Sequence, residues 1–190
     1  MIWFTSDWHL NHRNIIKYCE RPFKNVHHMN KAILENYHKV VKEDDQVYFL
    51  GDMTMDGPSN KLKYESLFNS LPGMKHLVLG NHDRFKPFDY HELGFVSVHT
   101  ALKQTFGHID IAFGQADFFM AHDPAWAQLP ETLWICGHVH NHWKSMKTDK
   151  NTIIINVGVD VWDFKPVSFD EVVNEVGKYV INGRKLAKIE

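Results

Sequence analysis

Residues 46–52 read Gln-Val-Tyr-Phe-Leu-Gly-Asp, an apolar run that ends in a glycine and a carboxylate. The same arrangement, an apolar run followed by polar residues, recurs elsewhere in the chain: Ile2–Ser6, His76–Leu79, Leu133–Cys136 and Asn151–Val157. Short apolar runs bounded by turn residues are typical of buried strands. We therefore predict a strand at each run, with polar side chains gathered where the strands end.

Helical patterns lie between these runs. Apolar residues recur at three- to four-residue spacing from Val26 to Val41, behind Asn25 as an N-cap. A second helix is predicted over residues 59–71. A third is predicted over 168–179, where Ser168 and Glu171 form a capping box.

The second half of the chain contains a hairpin signal, because Ile109–Phe113 and Ala116–Ala121 flank Gly114-Gln115. Strands alternate with helices in the first half, and strands follow one another closely afterwards. This order predicts an α/β fold with a mixed, two-sheet core. Since no repeat or linker interrupts the pattern, we expect a single domain over residues 1–190.

Composition excludes several classes of protein. The chain has 190 residues, of which 44% are hydrophobic, so it has enough apolar material to fold around a core. Its formal net charge of -2 provides no global positive field, and extended nucleic acid is therefore not an expected partner. The sequence has no signal-peptide pattern and no apolar run long enough for a membrane span. With two cysteines far apart in sequence, we expect a cytoplasmic protein with free thiols and no membrane partner.

Polar residues of the types that bind metals follow the predicted strands. Asp7 and His9 are two residues apart, and in an extended segment both would face one side. His138 and His140 repeat this spacing with two imidazoles. Asp52 follows another run, the turn after Gly80 offers Asn81, His82 and Asp83, and His122 follows the predicted hairpin. Mixed nitrogen and oxygen ligands suit Mn, Fe, Ni, Co or Zn better than Ca.

The order of these motifs resembles the calcineurin-like metallophosphoesterase superfamily, whose signature is D-x-H, G-D, G-N-H-D/E, H and G-H-x-H. The resemblance runs from Asp7 to His140, over most of the chain. Flanking segments at 12–23 and 159–167 look like a compact bacterial and phage branch of that superfamily. Many members have glycine before the ligand at His122, whereas this chain has Ala121.

The resemblance implies a fold and a reaction. The fold is a four-layer α-β-β-α sandwich with two mixed sheets, as in metallo-dependent phosphatases. Two divalent ions are implied, Mn²⁺ first among them, and a hydroxide that bridges them would attack phosphorus. The implied ligands are Asp7, His9 and His140 for one ion and Asn81, His122 and His138 for the other, with Asp52 as the bridge.

The same resemblance gives His82 the role of general acid or transition-state donor, with Asp83 orienting its ring. His12 and Arg13 follow Asp7-Trp8-His9 closely, and Arg84 follows the Gly80–Asp83 turn. We take these three residues as candidate contacts to a substrate phosphate.

Three functions compete. The first is hydrolysis of phosphomonoesters or small phosphodiesters, nucleotides among them, and a small phosphate ester is the expected partner. The second is a metal-dependent nuclease on short single strands, which lacks an evident basic stripe. The third is a non-catalytic scaffold of the same fold. A scaffold would be expected to lack His82 or several ligands, whereas this chain has the full set.

Overall fold

The structure is a computed structural model that describes residues 1–106, 117–130 and 132–179. Within these ranges the strands are β1 (Ile2–Thr5), β2 (Gln46–Phe49), β3 (Met74–Val78), β4 (Phe95–His99), β5 (Ala101–Thr105), β6 (Asp117–Ala121), β7 (Leu133–Cys136), β8 (Ser145–Lys147), β9 (Ile153–Asn156) and β10 (Val167–Ser168). The α-helices there are α1 (Ile15–Tyr18), α2 (Val26–Val40), α3 (Lys61–Asn69), α4 (Pro87–Glu92) and α5 (Phe169–Gly177). None of the helices in the described ranges combines the length and apolar character needed to cross a membrane.

The strands form two five-stranded sheets, ordered β10-β1-β2-β3-β4 and β5-β6-β7-β9-β8. In the first sheet β1 to β4 are parallel and β10 pairs antiparallel with β1. In the second sheet β6, β7 and β9 are parallel, whereas β5 and β8 pair antiparallel at the two edges. Both sheets are mixed, and the α/β, two-sheet prediction is confirmed.

Alternate residues of each central strand enter different cores, as the period of two requires. In β2, Val47 and Phe49 pack under the buried faces of α2, α3 and α4, whereas Tyr48 packs between the two sheets. Helix α5 bridges the sheets, because it contacts β1 and β10 on one side and β9 on the other. Its buried residues Val172 and Val176 belong to the core between the sheets.

The predicted starts of α2 and α5 agree with the capping contacts, whereas the helix predicted over 59–71 is the shorter α3. The Asn25 side chain accepts the His28 backbone N–H at 2.9 Å where α2 begins. Ser168 and Glu171 form the predicted capping box at the start of α5. Helix α5 ends at Gly177, two residues before the predicted end.

The hairpin prediction is tested only in part. Its first strand, Ile109–Phe113, and its turn lie outside the described residues. The described part of the second strand is β6, and its antiparallel partner is β5, which the sequence did not indicate. Strands β4, β8 and β10 were likewise missed.

The carboxyl ends of the parallel strands β1, β2 and β3 lie beside those of β6 and β7. Asp52, which follows β2, approaches His122, which follows β6, with 3.4 Å between Asp52 Oδ2 and His122 Nε2. The polar residues predicted at strand ends therefore converge from two sheets onto one place.

A buried carboxylate, Asp45, anchors the opposite ends of β1 and β2. It accepts the Trp3 indole N–H at 2.9 Å and the Lys42 backbone N–H at 2.9 Å, and it pairs with the N-terminal ammonium. We expect Asp45→Asn to lower the free energy of unfolding by about 2 kcal/mol, because hydrogen bonds to a charged group contribute about 1.5–3 kcal/mol. Urea titration followed by circular dichroism measures this loss. Unchanged stability would contradict the assigned anchoring.

Candidate metal centre

Five of the seven candidate ligands have left-handed backbone. The φ angles are 57° at Asp7, 50° at His9, 56° at Asp52, 71° at His138 and 47° at His140. Each such conformation costs a non-glycine residue on the order of 1–2 kcal/mol. Asp7 and His9 thus do not share a side through extended backbone, as the sequence analysis expected. Instead the chain turns sharply after the strand, and that turn directs both side chains inward.

The first donor set contains Asp7, His9 and His140, whose ligand atoms lie within 4.8 Å of one another. Asp7 is 0% and His9 1% exposed. Both ring nitrogens of His9 are buried without a hydrogen-bond partner. An unpartnered buried polar atom is costly, so these nitrogens fit a site that receives a metal ion.

The second donor set contains Asn81, His122 and His138. Asn81 Oδ1 lies 3.1 Å from His122 Nε2 and 3.0 Å from His138 Nδ1. Those two imidazole nitrogens are 3.3 Å apart. The structure thus brings all seven candidate ligands together, and their division between two ions stays a prediction. Ala121 is buried in β6 and leaves His122 within reach of Asp52 and Asn81.

Glycines in the ligand motifs allow one loop to lie directly on the carboxylate of another. A Cβ atom at Gly80 would lie 2.2 Å from Asp52 Oδ1, and one at Gly137 would lie 2.6 Å from Asp7 Oδ2. The loops also donate to these carboxylates: His82 N–H to Asp52 Oδ1 at 2.8 Å, and His138 N–H to Asp7 Oδ2 at 3.0 Å. Glycine at positions 80 and 137 is therefore a steric requirement of the site.

The pKa values of the two central carboxylates, Asp7 and Asp52, shift in opposite directions. Burial, with a smaller contribution from Asp52, raises the pKa of Asp7. Burial also opposes ionisation of Asp52, but the His122 side chain and the His82 backbone N–H outweigh it and lower the pKa of Asp52 to about 2. Two adjacent carboxylates with little access to water attract positive charge to this point.

The imidazoles respond to those carboxylates. Burial lowers the pKa of His9 to about 2, which keeps this ring neutral, as a metal ligand must be. Burial would also lower the pKa of His122, but Asp52 and Asp7 raise it to about 9. At His140 burial is outweighed by Asp160 above all, which raises the pKa to about 10.

His82 is half-buried, and its ring centroid lies 5.4 Å from that of His9. The expectation that Asp83 orients the His82 ring is not what the hydrogen bonds show. Asp83 Oδ2 accepts the backbone N–H groups of Gly80 at 2.8 Å and Asp52 at 2.9 Å, and Oδ1 accepts that of Met53 at 3.2 Å. Asp83 therefore fastens two ligand loops to each other, because the turn directs its carboxylate at the backbone.

A cleft of about 770 Å³ adjoins the first donor set. Its wall is formed by His9, His12, Ile15, Tyr18, Cys19, Glu20, Met55, His82, His140, Asn141 and His142. Of the three candidate phosphate contacts, His12 lies in this wall and has a buried Nδ1 without a partner. Arg13 and Arg84 are exposed and do not belong to it.

Arg21 and Asp160 adjoin the centre and were not singled out as site residues. Arg21 is 4% exposed and binds both oxygens of Asp160, at 2.7 and 2.8 Å. Asp160 Oδ2 lies 3.3 Å from His140 Nδ1. Both residues fall in the flanking segments that resembled the compact branch, but no local spacing signals a pair 139 positions apart.

The chain was compared with known proteins. The model of the calcineurin-like phosphoesterase family matches residues 1–183. The uncharacterized protein MJ1445 of Methanocaldococcus jannaschii is 34% identical over 191 residues, which is 94% of each chain. The Gene 66 protein of Mycobacterium phage L5 is 28% identical over 92% of this chain and 93% of its own.

The chain is also similar to solved structures. The protein of unknown function AQ665 from Aquifex aeolicus superposes with a TM-score of 0.67 at 29% identity, over 92% of this chain and 98% of that one. The chain belongs to the calcineurin-like phosphoesterase family. Its fold is accordingly the metallo-dependent phosphatase fold. The family and the fold class predicted from the motifs are both confirmed.

Gly80 offers a test of the loop packing. We expect Gly80→Ala to destabilise the protein by about 1–3 kcal/mol, as overpacking does, and to weaken Mn²⁺ binding, because the new methyl group displaces Asp52. Gly57→Ala is the matched control, since a Cβ atom there meets nothing within 4 Å. Calorimetric titration with Mn²⁺ measures the effect. Equal Mn²⁺ affinity in the two variants would contradict the steric argument.

Proposed function

We propose that the protein is a dinuclear-metal phosphoesterase that hydrolyses phosphomonoesters or small phosphodiesters, nucleotides among them. The position of Asp52 carries this proposal. Its Oδ2 lies 3.5 Å from His9 Nε2 and 3.4 Å from His122 Nε2, so one carboxylate adjoins both donor sets. A shared carboxylate between two donor sets suits a pair of closely spaced ions.

The donor chemistry fits divalent transition metals. Asp7, His9 and His140 would hold one ion, and a second would be held by Asn81, His122 and His138, with Asp52 shared. Imidazole, amide and carboxylate donors suit Mn, Fe, Co, Ni or Zn, and we propose Mn²⁺ first. When bound, two such ions activate water as a nucleophile and offset the charge of the phosphate.

His82 is the proposed proton donor to the leaving-group oxygen. It lies in the wall of the cleft, where the ester would enter. Its backbone N–H donates to Asp52 Oδ1 at 2.8 Å, which fixes the residue relative to the shared carboxylate. This contact would keep the His82 ring close to a phosphate bound at the shared carboxylate, as general acid catalysis requires.

The cleft favours a small substrate. A volume of about 770 Å³ suits a ligand of nucleotide size, and His12 in its wall is the proposed contact to a phosphate oxygen. Arg13 and Arg84, exposed beyond the cleft, would contact only a substrate that extends outside it. A net charge of -2 likewise favours a small ester over a long polyanion.

A nuclease acting on short single strands is the second candidate. Tyr18 belongs to the cleft wall and is 70% exposed, so its ring is available to stack on a base.

A scaffold is disfavoured, because all seven candidate ligands and His82 are present. We also propose a reducing, cytoplasmic location, since Cys19 and Cys136 are free thiols.

Asp52→Asn tests the shared carboxylate. We expect the Mn²⁺-loaded wild type to cleave p-nitrophenyl phosphate or its bis ester, and Asp52→Asn to fall to the background rate, because both donor sets lose the same charge. Asp149→Asn, at an exposed turn carboxylate, is the control and should match the wild type. A wild type inert toward both esters and a panel of nucleotides would overturn the proposal.

His82→Ala tests the proton donor. With phenyl phosphate, whose leaving group needs a proton, we expect kcat to fall about 100-fold or more. With p-nitrophenyl phosphate the loss should be much smaller, because p-nitrophenolate leaves without protonation. The variant should keep two Mn²⁺ per chain by metal analysis, and His38→Ala, at an exposed position of α2, should behave as wild type. Loss of metal, or equal losses on both esters, would remove His82 from this role.

A further inference from the structure

Arg21 lies behind the first donor set and holds its loop by the backbone. The guanidinium Nη2 donates to the Asp7 carbonyl at 2.7 Å, and Nη1 donates to the Trp8 carbonyl at 3.0 Å. These carbonyls belong to the turn in which Asp7 and His9 adopt left-handed φ. A rigid, buried fork of donors thus restrains backbone that would otherwise relax.

The same guanidinium fixes Asp160. Nε donates to Oδ1 at 2.7 Å and Nη2 donates to Oδ2 at 2.8 Å, so both oxygens of this carboxylate are engaged. Oδ2 is also 3.3 Å from His140 Nδ1. A carboxylate at Nδ1 accepts the ring proton there, which leaves Nε2 of His140 as the nitrogen available for a metal.

Two other interpretations of this cluster are weaker. Cys19, His140 and Asp160 place ligand atoms within 4.8 Å of one another, but Arg21 already occupies both oxygens of Asp160 with a positive charge. A separate cation site there is therefore disfavoured. A purely stabilising ion pair is also a poor account, because burying both charges costs about as much as their attraction returns.

We propose that Arg21 and Asp160 act as a positioning pair for one half of the metal centre, the half formed by Asp7, His9 and His140. The inference rests on the proposed two-metal site. Arg21 restrains the loop that carries Asp7 and His9, and Asp160 orients the ring of His140. Neither residue contacts Asn81, His122 or His138 in the described hydrogen bonds. The pair therefore controls the affinity for the ion of the first donor set and not that for the ion of the second donor set.

Arg21→Lys and Asp160→Asn test the proposal by calorimetric titration with Mn²⁺, without substrate. We expect one of the two binding steps to weaken about 10- to 100-fold, the usual effect of removing a partner of a metal ligand, while the other step stays within error. Lysine keeps the charge but cannot reach both carbonyls and the carboxylate. Arg21→Met, of similar length and uncharged, provides a second variant if lysine repacks.

Asp45→Asn is the matched control, because it also loses a buried carboxylate anchored by several donors, at the far ends of the same strands. It should lower the free energy of unfolding without changing either Mn²⁺ affinity. The double variant Arg21→Lys/Asp160→Asn should lose little more affinity than the worse single variant, since the two act as one unit. His122→Gln should remove the binding step of the other donor set. In that background, Arg21→Lys or Asp160→Asn should weaken the remaining step by the same factor as in the otherwise wild-type chain.

Kinetics give an independent readout. At saturating Mn²⁺ we expect Asp160→Asn to recover most of its kcat with KM unchanged, because the defect is in metal retention. Wild-type affinity for both ions in both variants would overturn this inference but not the proposed metal centre. Equal weakening of both steps would overturn it in favour of general loosening. A wild type that binds no Mn²⁺ would overturn the proposed metal centre and this inference together.

Discussion

Asp7 and Asp52 place two carboxylates in one space that water scarcely reaches, 0% and 1% exposed. Like charges at such a place repel strongly, because there is little solvent to screen them. The surrounding structure compensates. Imidazoles adjoin the carboxylates, backbone N–H groups of two other loops donate to them, and the Arg21 guanidinium lies immediately behind. The geometry of the strand ends follows from this requirement, since each loop must approach closely enough to supply a donor.

Close approach explains the unusual backbone. Left-handed residues and glycines are both concentrated where the loops touch, and neither would be favoured in a chain selected for stability alone. Each left-handed residue costs on the order of 1–2 kcal/mol, which the packing of two sheets and their helices has to offset. Strain of this kind at a cluster of polar side chains is typical of sites that bind or react.

The sequence predicted the parts of the molecule that have local signals. Apolar runs located β1, β2, β7 and β9, a capping box located the start of α5, and the motif order led to the family that the comparisons confirm. Edge strands such as β5 and β8 were missed, because they are half-exposed and carry little apolar pattern. Adjacency in sequence suggests that Asp83 orients the His82 ring. The Asp83 carboxylate instead accepts backbone N–H groups of another loop, at Asp52 and Met53. The Arg21–Asp160 pair was beyond sequence reasoning, because only the completed fold brings its members together.

Strand β10 has a consequence for how the protein emerges from the ribosome. It pairs with β1, so the first and last strands of the described residues lie side by side. Until residues 167–168 are synthesised, the nascent chain has an unpaired edge on a sheet whose other strands are already available. Unpaired edges recruit strands from other chains, so a nascent chain that lacks β10 leaves β1 open to such pairing.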